Sequence, residues 1–160
     1  SSIIDLLDKK NLTNKIGGYE SSDFGRMDLN QIIGKYSSKK VDIDEKVLLI
    51  KLSQTFRYNM SETELYDYTR GIWIISEEKR KEIEYVFCVY DGVVQETYNV
   101  LDWFPGGSTY SERNDIEEWK KHQRWEFIGN ISHEMRKKYR HKSVSHYFPS
   151  GSRNPVRYTF

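Results

Sequence analysis

Three tryptophans, Trp73, Trp103 and Trp125, and two tyrosines, Tyr66 and Tyr68, form the first group of interest. Flat apolar rings of this kind are what an unpaired or extruded base stacks on, at about 1–3 kcal/mol per contact. Trp73 follows Arg70-Gly71, so a ring and a guanidinium are expected at one mouth, with Trp73 and Trp103 as its walls. Large aromatics also dominate ordinary cores. A single tryptophan of a small barrel is more often core, and the functional reading needs only one of them to line a pocket.

A second set of residues would neutralise phosphates: Arg136, Lys137, Lys138, Arg140 and Lys142, with Arg153 and Arg157. On a helix beginning after Ser132, positions 136, 137 and 140 fall near one face, while Met135 and Tyr139 turn toward a core. A solvated basic helix face has the same pattern. In Arg153-Asn154-Pro155 the Asn-Pro pair fixes a turn, and Asn154 either caps that loop or meets a base edge; capping is the expected role. Ser143 sits among these cations.

Other chemistry finds less support. His133, His141 and His146 lack the His-Glu-x-x-His spacing of a zinc helix. Ser143 and His146 lack a Gly-x-Ser-x-Gly nucleophile turn. Asp91, Glu96, Asp102 and Glu126 are the carboxylates that a magnesium-dependent nuclease would need, but Asp91 has a turn to make, and Glu96 and Glu126 alternate with apolar neighbours and are expected in solvent. Gly17-Gly18 is no phosphate loop. Neither catalytic residues nor metal ligands nor a cofactor are assigned.

Composition sets the frame. The 160 residues suit one domain, or one domain with an appendage. The net charge of +1 hides a split: from Lys120 onward ten Lys/Arg face two acidic residues, whereas residues 1–119 carry a net charge of −7. A basic C-terminal third is the electrostatic footprint of a nucleic-acid partner, or of a helix paired with the acidic part. Cys88 is the one cysteine; it reads as a small buried hydrophobe and fits a reducing cytoplasm. No apolar run spans a membrane, and no secretory signal is evident. The Ser-Ser start suggests a piece of a longer protein.

The elements that must position these residues centre on Tyr85–Tyr98. Two runs of β-branched and aromatic residues flank Asp91-Gly92, a dipeptide suited to a type I′ turn. Val86, Cys88 and Tyr90 then share one face, Phe87 and Val89 the other. Val94, Tyr98 and Val100 alternate with Gln95, Thr97 and Asn99, which predicts cover on one side only. Residues 3–12 pattern as a helix and 13–24 as a loop. Asp28 caps a second helix carrying Leu29, Ile32 and Ile33, with Gly34 near its end, and 35–44 form a linker. These 44 residues are read as a helical appendage to a domain over 45–160. Within that domain come a strand at 46–52, a helix behind the capping box Ser61-Glu62-Thr63-Glu64 stopped by left-handed Gly71, a strand at 72–75 and a charged turn capped by Ser76. The hairpin follows, then a loop from Pro105 to about Lys121, a strand at 124–130, the basic helix and a last strand at 156–160. The expected fold class is α+β: a small, strongly bent antiparallel β-barrel with short peripheral helices.

The segments LYDYTRGIW (65–73), YVFCVYDGVVQETYNVLDW (85–103), RWEFIGN (124–130) and KSVSHYFPSGSRNPVRYTF (142–160) resemble a bacterial module found beside nuclease domains, including GIY-YIG types. Its layout is similar to the PUA-like superfamily, which includes the ASCH, EVE and YTH domains. The resemblance implies a small barrel that binds nucleic acid, often taking one base into an aromatic pocket, and in restriction and defence proteins reading modified bases. The Gly-x-Lys pattern of ASCH domains is absent, and no GIY-YIG sequence occurs, so nuclease activity is not carried over. The combined expectation is a nucleic-acid-binding domain, for DNA rather than RNA, serving a nuclease domain or subunit. Its site would comprise Tyr66, Arg70, Trp73, Trp103, Trp125, Arg136, Lys137, Arg140, Lys142, Ser143, Arg153 and Asn154. The competing expectations are a regulatory module that docks on a protein through an aromatic surface, and a nuclease with an unrecognised acidic site.

Overall fold

The computed structural model describes residues 29–36, 39–113, 117 and 122–160. The segments at 3–12 and 13–24, and Asp28, lie outside them. From residue 45 onward the elements follow the expected order: β1 (Val47–Lys51), α2 (Glu62–Arg70), β2 (Gly71–Trp73), α3 (Glu77–Glu82), β3 (Tyr85–Tyr90), β4 (Val93–Pro105), β5 (Trp125–Ile131), α4 (His133–Tyr139) and β6 (Val156–Tyr158), with α1 (Leu29–Tyr36) ahead of them. The strands form one curled six-stranded sheet in the order β2-β5-β4-β3-β1-β6.

The antiparallel expectation needs correction. β1 and β3 pair in parallel, Val47 opposite Tyr85 through Lys51 opposite Val89, so the sheet is mixed. The reason is the long connection between them: α2, β2 and α3 bring the chain back to the starting edge, as a parallel pair requires. The other pairings are antiparallel.

Both faces of the sheet are covered. Leu48, Ile50, Val86, Cys88, Tyr98 and Phe127 form a core on the first face, beneath Leu65, Tyr66 and Tyr68 of α2. Val47, Leu49, Phe87, Val89 and Val94 form a core on the second face with Met135 and Tyr139 of α4. Period-two alternation in β1 and β3 divides these sets, and in β3 the division is the one the sequence predicts.

In β4 the alternation fails twice. Val89 lies opposite Val94 and Cys88 opposite Glu96, leaving Gln95 as an extra residue. The bulge sends Val94 to the second face while Tyr98 and Val100 pack on the first. A second irregularity follows between Val100 and Asp102. Residues 93–98 are buried on both sides, contrary to the one-sided expectation.

Local signals behave as their chemistry dictates. Asp91 and Gly92 take φ of 47° and 76°, the two left-handed residues of a type I′ turn. Ser61 accepts from Glu64 N while the Glu64 carboxylate accepts from Ser61 N, completing the capping box. Ser76 and Ser132 cap α3 and α4. Gly71 is not a left-handed stop: its φ is −161°, and the chain enters β2 directly. A Cβ there would meet Glu126 Cβ at 2.8 Å, so the glycine lets the Glu126 side chain cross it.

The helix α1 is seated on the hairpin. Gln31 Nε2 donates to Tyr90 O at 3.1 Å, and Gln95 Nε2 donates to Gln31 Oε1 at 2.6 Å. Gly34 lies inside the helix rather than at its end, and a Cβ there would stand 2.6 Å from His141 O.

Candidate functional site

Trp73, Trp103 and Trp125 lie on neighbouring strands, while Arg70 turns to two carboxylates. Trp73 lies directly opposite Trp125 on β2 and β5, and Trp103 opposite Phe127, two residues along. Alternation therefore puts all three indoles on the first face of the sheet. All are half-buried. Trp73 Nε1 donates to Thr69 O at 2.8 Å, and the Arg80 guanidinium stacks 3.5 Å from the Trp125 ring centroid. Trp103 packs edge-on to Phe127, and its buried Nε1 has no hydrogen-bond partner. Tyr66 closes this core, its hydroxyl accepting from Gly129 N at 3.0 Å.

Arg70, expected at a mouth, is 4% exposed. It donates through Nε to Asp67 Oδ1 at 2.9 Å and through Nη1 to Glu126 Oε2 at 2.8 Å. Further bonds run from Arg70 to Thr109 Oγ1 and to Tyr110 O. Glu126 also accepts from the backbone N–H groups of Gly107 and Ser108, and Asp67 from that of Glu112. The cluster thus ties the loop after β4 to α2 through charged hydrogen bonds. A cavity of about 20 Å³ remains beside Asp67, Arg70, Thr109 and Glu126; that is room for about one water.

Glu126 and Glu96, expected in solvent, are 3% and 2% exposed. The reason is the same for both: each meets an arginine that strand alternation alone does not reveal. Arg136 grips Glu96 with Nε at 3.0 Å and Nη2 at 2.7 Å, and this bond raises the guanidinium's pKa. Arg140 Nε donates to Gln95 O at 2.9 Å. Lys138 pairs with Glu45 at 2.6 Å.

The basic helix α4 covers the second face of the sheet, whereas the indoles line the first. The structure therefore does not bring the ring set and the α4 cations into one recess. Ser143 is buried; its backbone bridges Lys40 on one side and Val93 on the other. Asn154 Oδ1 accepts from Val156 N at 3.0 Å, the turn-capping role expected of it. Among the described residues no three or more His, Cys, Asp and Glu gather as a metal site would require, and no described helix is long and apolar enough to cross a membrane.

A different grouping emerges at the Asp91-Gly92 end of the hairpin. Because β1 and β3 are parallel, the end of β1 arrives there too, with Lys51 N bonded to Pro155 O and Leu52 N to Val89 O. Arg153 stands two residues before Pro155. The segment 141–144 lies against Gly92–Val94 through Val94 N→Lys142 O and Val144 N→Gly92 O. Lys39 and Lys40 arrive through the Lys40–Ser143 bridge. Lys39, Lys40, Lys142 and Arg153 are exposed, and none pairs with a carboxylate of the described residues. Of the nearby acids, Asp91 pairs with Lys35 at 2.6 Å, and Asp42 shares a hydrogen bond with His146 at 3.1 Å. Lys137 is exposed one turn back on α4.

No protein-family model, no curated protein and no solved structure matches the chain. Function must therefore be read from the geometry. Sequence reasoning singled out Lys142 and Arg153 but passed over Lys39 and Lys40. The signal that could have found them, the pair Lys39-Lys40 ahead of a strand, gains meaning only once the bridge to Ser143 joins them to Lys142.

Proposed function

We propose that this chain is a nucleic-acid-binding domain that grips phosphates at the hairpin end of its sheet. The observation that carries this reading is the exposed set Lys39, Lys40, Lys142 and Arg153, brought to one end of the sheet from segments far apart in sequence and unpaired with any carboxylate of the described residues. Other cations, Arg70, Arg136 and Lys138, are neutralised within the fold, so a basic surface survives here on a chain of net charge only +1. Such cations displace counterions from a phosphate backbone and make affinity fall steeply with salt. A PUA-like relationship and service to a nuclease domain accord with this reading. The test is a binding titration of duplex DNA at rising salt, with Lys39→Gln, Lys40→Gln, Lys142→Gln and Arg153→Gln combined as the comparison.

A second reading, docking on a protein, is favoured by Ile74, Leu101 and Tyr110, which are 70%, 66% and 84% exposed. Large apolar side chains left in water are the material of interaction surfaces. Binding through them would be nearly indifferent to salt.

A further inference from the structure

Three half-buried rings stand at the same end of the sheet as these exposed cations, and none belongs to the tryptophan set. Tyr90 ends β3 just before the turn. Phe56 stacks on it, centroids 4.6 Å apart and planes 29° from parallel. Tyr58 meets both edge-on, at 5.2 Å from Phe56 and 5.9 Å from Tyr90. Phe56 leans on the first core, so the trio is anchored rather than loose. Its backbone is also tied to α1: Tyr90 O accepts from Gln31, and Asp91, the next residue, pairs with Lys35 of the same helix. Lys51, at the end of the neighbouring strand, reaches Ser152 O at 3.1 Å, one residue from Arg153.

Rings and cations serve different parts of a nucleic acid. A cation meets a phosphate whether or not the bases are paired. A ring face is useful only to a base whose own face is free, which in a duplex is occupied by its neighbours. On the phosphate reading above, which this inference rests on, we infer that the site prefers single-stranded nucleic acid. Unpaired bases stack on the Phe56–Tyr58–Tyr90 cluster while Lys39, Lys40, Lys142 and Arg153 hold the backbone.

The experiment compares a labelled mixed-sequence single strand with its duplex by fluorescence anisotropy at fixed salt. It uses wild type, Tyr90→Leu and Tyr58→Leu; leucine keeps apolar bulk against the core but removes the flat ring. Thermal melts of each variant show whether the fold survives. Wild type is expected to bind the single strand more tightly, and each leucine variant to lose about tenfold in single-strand affinity while duplex affinity moves less than about twofold. Equal binding of both strands by wild type, or equal loss on both by folded variants, overturns the inference and leaves the phosphate reading standing. Wild type that binds neither overturns the phosphate reading itself, and this inference with it.

Discussion

At the scale of single residues, the most consequential feature is the buried trio Asp67, Arg70 and Glu126. Removing one partner from a buried ion pair strands the other, at a cost of about 3–5 kcal/mol. Glu126→Ala should therefore lower stability in urea by that order, and it should also free the loop at 106–113, seen as faster amide exchange at Gly107 and Ser108, whose N–H groups it accepts. Cys88 is fully buried, and burial pushes its thiol up to about 12. The native protein should resist a thiol reagent at pH 8 and react at once when unfolded. Glu45 supplies a pH signature. Burial raises its pKa, but hydrogen bonds from Lys138 and Tyr139 outweigh that and hold it below its ordinary 4.5. A depressed folded pKa gives stability that is present above the unfolded value and lost as pH falls through the folded one. The melting difference between wild type and Glu45→Gln should thus be largest above about pH 5 and shrink below it. Glu96 and Glu126 mark the limit of sequence reading at this scale. Their alternation with apolar neighbours was legible, but the arginines that make burial tolerable come from 40 and 56 residues away.

At the scale of elements, what was legible depended on range. The hairpin, the capping box and the serine caps of α3 and α4 rest on contacts among near neighbours, and the structure contains them all. The parallel β1–β3 pairing and the Gln95 bulge rest on which strands meet, which no local pattern encodes. The bulge alone moved Val94 to the other face. The helix α1 is a further case. Its seat depends on residues far along the chain: Gly34 presses against His141 O and Val93, leaving no room for a methyl. Gly34→Ala should cost about 1–3 kcal/mol by overpacking, and amide exchange should quicken in α1 and in the 93–95 segment ahead of the rest of the sheet. Ser61→Ala should cost about 1 kcal/mol by loss of the cap, with no change in binding at the hairpin end.

At the scale of the whole molecule, charge is sorted between structure and surface. The sequence shows a basic C-terminal third but not which of its cations are spent inside. Arg136 and Lys138 hold Glu96 and Glu45, and so stabilise the seat of α4. Lys142 and Arg153 remain in solvent and are joined there by Lys39 and Lys40 from the other end of the chain. The expected single recess of indoles and α4 cations does not form, because the sheet stands between them. The hairpin end, where parallel strands and returning loops converge, instead carries positive charge that no carboxylate of the described residues pairs. The most direct test is the slope of log affinity against log salt for duplex DNA, measured for wild type and for the protein carrying Lys39→Gln, Lys40→Gln, Lys142→Gln and Arg153→Gln. Each lost phosphate contact removes about 0.9 from that slope, so the variant should bind more weakly with a slope shallower by about three to four. A wild-type affinity indifferent to salt, or a variant with an unchanged slope, would contradict the account.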